Sequence, residues 1–278
     1  MAPGYFFAFQ NRLSGRVFAN TLPRINLGLF KLDIKNPNSG ILPVTPQPEP
    51  LVDENPPAFN LPGPILILGV ALIVVHTIRS YLLSDEWDYW VLNVFAFVPV
   101  FYQASPDQLV EPLAIYWSPL THGFLHGDWT HLLVNLVWLA AFGSAVARRL
   151  GAGRFVIFMV FGTLAGAGAH YLFHEMSYSP VIGASGAVSA CMGAAVRFAF
   201  APGQPISVAM TRPAVSLLQS LSNRSIMAFV LIWFGFNFLV GSGIIPLGIE
   251  GQIAWEAHMG GFLLGWLGFA LFDPVGRR

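Results

Sequence analysis

Charge is scarce in this chain. Lys, Arg, Asp and Glu make up only 10% of its 278 residues, against about a quarter in soluble domains. What replaces them is apolar: 55% of the residues are hydrophobic, with 24 Phe and 8 Trp. An ordinary soluble domain is therefore excluded, and an all-α, polytopic membrane protein is expected. The 14 basic and 14 acidic residues cancel, so the excess positive charge that draws a protein to nucleic acid is missing. The one cysteine, Cys191, lies in an apolar run, which rules out a disulfide scaffold and leaves it as a packing residue.

A helix crosses a bilayer with about 20 mostly apolar residues. Six segments meet or approach that length: Pro62 to Leu83, Trp129 to Ala147, Phe155 to Phe173, the short Ser185 to Phe200, Ile226 to just beyond Val240, and Ala257 to Phe272. Residues 1–60 differ. They carry "PVTPQPEP" and "ENPPAFNLPG" and no long apolar run, so a partly disordered cytoplasmic segment is expected, followed by a six-span core over 61–278. No cleavable secretory signal is read. The loop from Ser84 to Asp128 holds "EWDYWVLNVFAFVPVFY". Its aromatics suit the membrane interface, and a helical hairpin in the outer leaflet is expected there.

With six spans, Arg148, Arg149, Arg154, Arg197, Arg212, Arg224, Arg277 and Arg278 fall on the side that also carries Arg12, Arg16, Arg24, Lys31 and Lys35. The positive-inside rule makes that side the cytoplasm, with both termini inside. Arg79 is the exception. The opposite loops carry acids, including Asp85, Asp88, Asp128 and Glu175.

Polar side chains inside a bilayer are costly and usually functional. Here they are His131 and Asn135 in span two, His170 in span three, Ser185 and Ser189 in span four, Asn237 in span five and His258 in span six. Spans two, four and six run in the same direction, so His131, Asn135, Ser185 and His258 lie at similar depth and can converge. A serine hydroxyl needs a base to become a nucleophile, and an imidazole near its ordinary pKa suits that task. An oxyanion would find donors in the Ser185 N–H, Asn135 and His131. No Asp or Glu lies inside spans two to six to orient the imidazole. Asp273 comes 15 residues after His258, about 22 Å along a helix, and Glu256 points to another face. A Ser–His dyad is expected. Span four carries Ser185, Ser189 and Gly193 at four-residue spacing, and span six carries Gly261 and Gly265 as GxxxG. Such faces let helices approach closely.

These residues resemble those of the rhomboid intramembrane serine proteases over roughly Trp117 to the end of span six. "GASG" fits the GxSG motif at Gly183, Ser185 and Gly186. "AHMGGFLLG" fits AHxxGxxxG at Ala257, His258, Gly261 and Gly265. "HGFLHGDWTHLLVN" fits HxxxHxxxxHxxxN at His122, His126, His131 and Asn135. The resemblance implies Ser185 as nucleophile, His258 as general base, and His131, Asn135 and the Ser185 N–H as oxyanion hole. It also implies substrates that are transmembrane segments of single-span membrane proteins, an outer loop embedded beside the site, and span five as a lateral gate. Span five is Phe-rich (Phe229, Phe234, Phe236, Phe238), which suits a lipid-facing helix. Two positions depart from the family pattern: Ser118 follows Trp117 where an arginine is usual, and Ser189 stands where a Tyr stacks on the catalytic imidazole. A Ser189–His258 hydrogen bond is one substitute.

His122 and His126 are read as structural. They lack the acidic partner of HExxH, so neither metal nor cofactor is expected in the chemistry. His170 and His174 are read as interfacial, and His76, Asn237 and Cys191 as residues that pack or bond between helices. The rival function is a catalytically inactive rhomboid-like protein that binds transmembrane helices in quality control. A small-solute channel is weaker still. The expected partners are single-span substrates and the lipid bilayer, with no nucleic acid. The expected location is a bacterial inner membrane, with the mitochondrial inner membrane as the alternative.

Overall fold

Hydrocarbon offers the backbone no hydrogen bonds, so a chain that enters it must satisfy its own amides, which helices do. The computed structural model describes residues 60–200, 206–245 and 254–275, and among them the chain is all-α. No strand is present among these residues. Phe97 and Val181 form an isolated antiparallel bridge. The described residues belong to the unit Ala58–Arg278. The expected N-terminal segment, apart from Asn60, lies outside them.

The helices in chain order are α1 (Gly63–Tyr81), α2 (Asp85–Phe95), α3 (Ala114–Thr121), α4 (Trp129–Trp138), α5 (Ser144–Leu150), α6 (Ala152–His174), α7 (Ser185–Val196), α8 (Ile206–Ala209), α9 (Leu217–Ser222), α10 (Arg224–Gly241) and α11 (Trp255–Gly268). All six expected spans are helical, with ends within a few residues of the sequence reading. Four are long and apolar enough to cross a membrane by themselves: α1, Trp129–Leu150, α6 and α10. The second of these is α4 and α5 joined by one π-turn, Leu139–Gly143. The other two, α7 and α11, have 12 and 14 residues.

Length is explained by position. From Gly186 to Val196 every residue of α7 is buried, because α6 and α11 pack against it. The contacts are backbone to backbone. A Cβ on Gly261 would collide with the Gly186 carbonyl, one on Gly265 with the Ala190 carbonyl, and one on Gly193 with the Phe262 carbonyl. The small-residue faces of spans four and six therefore meet as expected, and a side chain at any of these points would push the helices apart. By contrast α1 and α10 are peripheral, with 17% and 11% of their apolar windows buried. The aromatics of α10 are divided: Phe229 and Phe234 lie against Phe262, Phe238 lies edge-on to Trp255, and Phe236 is exposed. The helix as a whole stays largely exposed, as its Phe-rich sequence led one to expect, while part of its aromatic surface packs inward.

The Ser84–Asp128 loop does contain a two-helix hairpin. The Trp117 indole N–H donates to the Val94 carbonyl, and the Thr121 hydroxyl donates to the Phe95 carbonyl, holding α3 on α2. Arg79, the exception to the charge rule, is neutralised. Its guanidinium grips Asp88 at 2.7 and 3.1 Å and donates to the His126 carbonyl at 2.9 Å. This ties α1 to both ends of the loop. Ser118, which follows Trp117, lies 3.1 Å from the Tyr102 hydroxyl. At the opposite end of the bundle Arg149 is buried. It pairs with Asp273 and donates to the Ala209 and Arg212 carbonyls, so Asp273 is occupied far from His258.

Candidate active site

Ser185 opens α7. The first N–H groups of a helix have no partner inside it, so the Ser185 amide is left pointing out of the helix end. The approach is set by Gly183, whose φ of +121° suits glycine. Its amide donates to the His122 carbonyl at 3.0 Å. A Cβ there would lie 2.8 Å from His131 Nε2 and 3.6 Å from Ser185 Oγ. The imidazole edge and the hydroxyl therefore face the same glycine, and the bare α-carbon leaves the space between them open.

His131 and Asn135 lie one turn apart on α4. Asp128 caps that helix, its carboxylate accepting from the His131 N–H at 2.8 Å. The Gly127 N–H points at His131 Nδ1, 3.5 Å away. Nδ1 is then an acceptor and the ring proton sits on Nε2, the atom beside Gly183. Asn135 is buried, and its amide donates one hydrogen to the His131 carbonyl at 3.0 Å. The second amide hydrogen remains for another acceptor.

His258 lies in the first turn of α11, next to Ala257, whose carbonyl would lie 3.7 Å from a Cβ on Gly186. Ser185 and His258 are thus the chain neighbours of two residues in mutual contact. No hydrogen bond joins them among the described residues, and such bonds in unliganded sites often tighten only with substrate.

The imidazole is held by a residue read from the sequence as packing or bonding between helices, with no part in the chemistry. His258 Nδ1 lies 2.7 Å from Asn237 Oδ1 on α10. The Asn237 orientation follows from its other contact: Nδ2 donates to the Trp233 carbonyl at 2.8 Å, which an oxygen could not do. Oδ1 carries no hydrogen, so the proton between Asn237 and His258 belongs to Nδ1. That leaves a lone pair on His258 Nε2. The partner of Nδ1 is therefore Asn237 and not Ser189, which is buried in α7. The signal was present, an amide in the middle of an apolar span, but its partner depends on helix rotation, which composition does not encode.

His122 and His126 are both buried. His122 Nδ1 lies 3.1 Å from the Ser118 carbonyl, and the His126 ring lies edge-on to His131 with centroids 5.0 Å apart. Burial pushes the His122 imidazole down to about 4 and the His126 imidazole down to about 3, so both are neutral near pH 7 and act as spacers under the loop. Cys191 packs with its sulfur 3.5 Å from Met159 Sδ.

Comparison with known proteins bears on the family. A family model described as the Rhomboid domain matches residues 114–273, which holds every residue of the site. The chain is 28% identical over 216 residues to "Rhomboid protease GlpG" of Serratia proteamaculans (strain 568), covering 77% of this chain and 64% of that protein. It is 28% identical over 162 residues to the protein of that name from Enterobacter sp. (strain 638), covering 58% and 50%. For the one from Yersinia pestis (strain Pestoides F) the values are 24% over 204 residues, covering 73% and 59%. The chain thus spans less than two thirds of the length of these relatives.

Proposed function

The chain belongs to the rhomboid family, and from that premise we propose that it is an intramembrane serine endopeptidase. Its substrates are transmembrane segments of single-span membrane proteins. The observation that carries this reading is the imidazole pinned by Asn237 at 2.7 Å with its Nε2 lone pair free, at a helix start packed on the start of α7. A packing histidine has no need of a fixed tautomer; a general base does.

In this mechanism the Ser185 hydroxyl gives its proton to His258 Nε2 as Oγ attacks the scissile carbonyl. The imidazolium that forms keeps its Nδ1–H on Asn237. The carbonyl oxygen becomes an oxyanion, received by the Ser185 N–H, the spare Asn135 amide hydrogen and His131 Nε2–H. Donors already in position stabilise such a charge without reorganising, and the α7 N-terminus adds its positive end. Collapse of the intermediate breaks the C–N bond, and His258 returns the proton to the leaving amine. Water then repeats the cycle on the acyl-enzyme and releases Ser185. The presence of Ser185, His258 and the Asn237 contact speaks against the inactive alternative, which is not favoured. The arginine-rich end of the bundle faces the cytoplasm in this reading, and the site opens towards the outer side.

The test is labelling of the detergent-purified protein with a fluorophosphonate, together with cleavage of a model transmembrane substrate. Wild type is expected to label at Ser185 and to cleave, and Ser185→Ala to do neither. Folded wild type that neither labels nor cleaves overturns the reading.

A further inference from the structure

A second cluster of chemistry-bearing side chains lies on the opposite face of α11 from the His258–Asn237 contact. His170 and His174 are four residues apart and so share one face of α6, and Glu256 reaches them from the first turn of α11. Ligand atoms from the three residues all lie within 4.8 Å of one another. His174 Nε2 is 2.8 Å from Glu256 Oε1, and His170 Nδ1 is 3.4 Å from Glu256 Oε2. The two rings are stacked with centroids 4.6 Å apart.

We propose that His170, His174 and Glu256 form a binding site for a divalent transition metal of the zinc class, which clamps the outer end of α6 to the start of α11. Three observations carry it. First, the donor set is two imidazoles and a carboxylate, which suits zinc and leaves a fourth position for water. Ligand atoms about 3.3 Å apart are what tetrahedral bonds of about 2.0–2.1 Å require; His170 Nδ1 and Glu256 Oε2 stand at 3.4 Å, and the His174 Nε2–Glu256 Oε1 pair, at 2.8 Å, has to open on binding. Second, the His170 side chain is 9% exposed, its Nδ1 approaches Glu256 Oε2 only at a long 3.4 Å, and its Nε2 makes no hydrogen bond among the described residues. A buried imidazole so weakly held is poorly satisfied as a packing residue and well placed as a ligand. Third, the Glu256 side chain is 8% exposed, and a buried carboxylate needs its charge compensated. A dication does this for both oxygens, with the imidazoles neutral. The His174 side chain is 42% exposed, so the cluster is open at the protein surface.

The site has no part in the peptidase chemistry proposed above, and its test does not read activity. The full chain, purified in detergent and stripped with chelator, is titrated with Zn2+ by calorimetry. Co2+ is added separately to read its visible absorption. The expected result is one equivalent of metal per chain, with the intense absorption of a four-coordinate cobalt site, and a rise in the unfolding midpoint with added Zn2+. His174→Ala, at the exposed ligand, and Glu256→Gln are each expected to weaken binding by at least about tenfold and to abolish the midpoint rise. Wild type that takes up no metal while still unfolding in a cooperative transition, or uptake unchanged in both variants, overturns the proposal and leaves a hydrogen-bonded pair of His174 and Glu256.

Discussion

Asn237 orients an imidazole with an amide where a soluble enzyme commonly uses a carboxylate. The difference suits the medium. Burying an ion carries a penalty of several kcal/mol after relaxation, whereas an amide oxygen accepts the same Nδ1–H bond with no net charge. Asn237→Ala removes that acceptor and frees the tautomer. Losing one hydrogen bond of about 1–1.5 kcal/mol corresponds to roughly a tenfold fall in kcat. Because Asn237 acts through His258 and not on the substrate, KM is expected to stay unchanged and the rate of fluorophosphonate labelling to fall by the same factor. A matching loss of folded protein in place of a kcat effect would make Asn237 a packing residue after all. At this scale the sequence was informative where chemistry and spacing coincide. Ser185, His258, His131 and Asn135 stand out as polar groups at one depth in parallel spans. Asn237 stands out equally as polar, but its partner lies on another helix, and a single amide gives no register between helices.

The elements divide by what their neighbours require of them. Central α7 and α11 meet through glycines, so their separation is set by backbone atoms. Gly261→Val places a side chain on the Gly186 carbonyl, and overpacking of this kind destabilises by about 1–3 kcal/mol. Thermal unfolding in detergent should show it, while Gly168→Ala, where the new Cβ meets open space, should show no loss. The outer hairpin depends instead on buried neutral imidazoles. His122 and His126 are depressed to about 4 and about 3 when folded, against about 6.5 in the unfolded chain. The unfolded chain then binds protons that the folded one refuses. Stability is full above about pH 6.5 and is lost as pH falls from there towards the folded values. The unfolding midpoint should drop between pH 7 and pH 5, and His122→Gln should flatten that drop. Helix positions were legible from apolar run length alone. The π-turn at Leu139–Gly143 was not, because it changes the hydrogen-bond register without changing composition. The shortness of α7 was visible, but only its burial between α6 and α11 explains it.

Across the whole molecule the two ends of the bundle are built differently. The site end has glycine contacts, a hairpin and partly exposed polar groups. The arginine end is closed by buried charge: the Arg149 and Asp273 side chains are 0% and 4% exposed and 2.7 Å apart. Arg149 lies 4.7 Å from the Phe198 ring centroid and 5.6 Å from that of Phe269. One guanidinium therefore joins the end of α5, the Ala209 and Arg212 carbonyls and the segment after α11. From the sequence, Arg149 was read as a topology signal and Asp273 as a carboxylate too far along its span to reach His258. Nothing in their spacing paired Arg149 with a residue 124 positions away. Arg149→Met leaves Asp273 buried without a partner, which is expected to destabilise by about 3–5 kcal/mol. Adding Asp273→Leu removes the orphaned carboxylate and should recover most of the loss, because an apolar pair can replace a buried ion pair at little net change. Unfolding midpoints in detergent decide the matter. Recovery in the double variant identifies the pair as an electrostatic lock whose partners matter to each other. Additive losses would mean that Arg149 works mainly through the backbone carbonyls it binds.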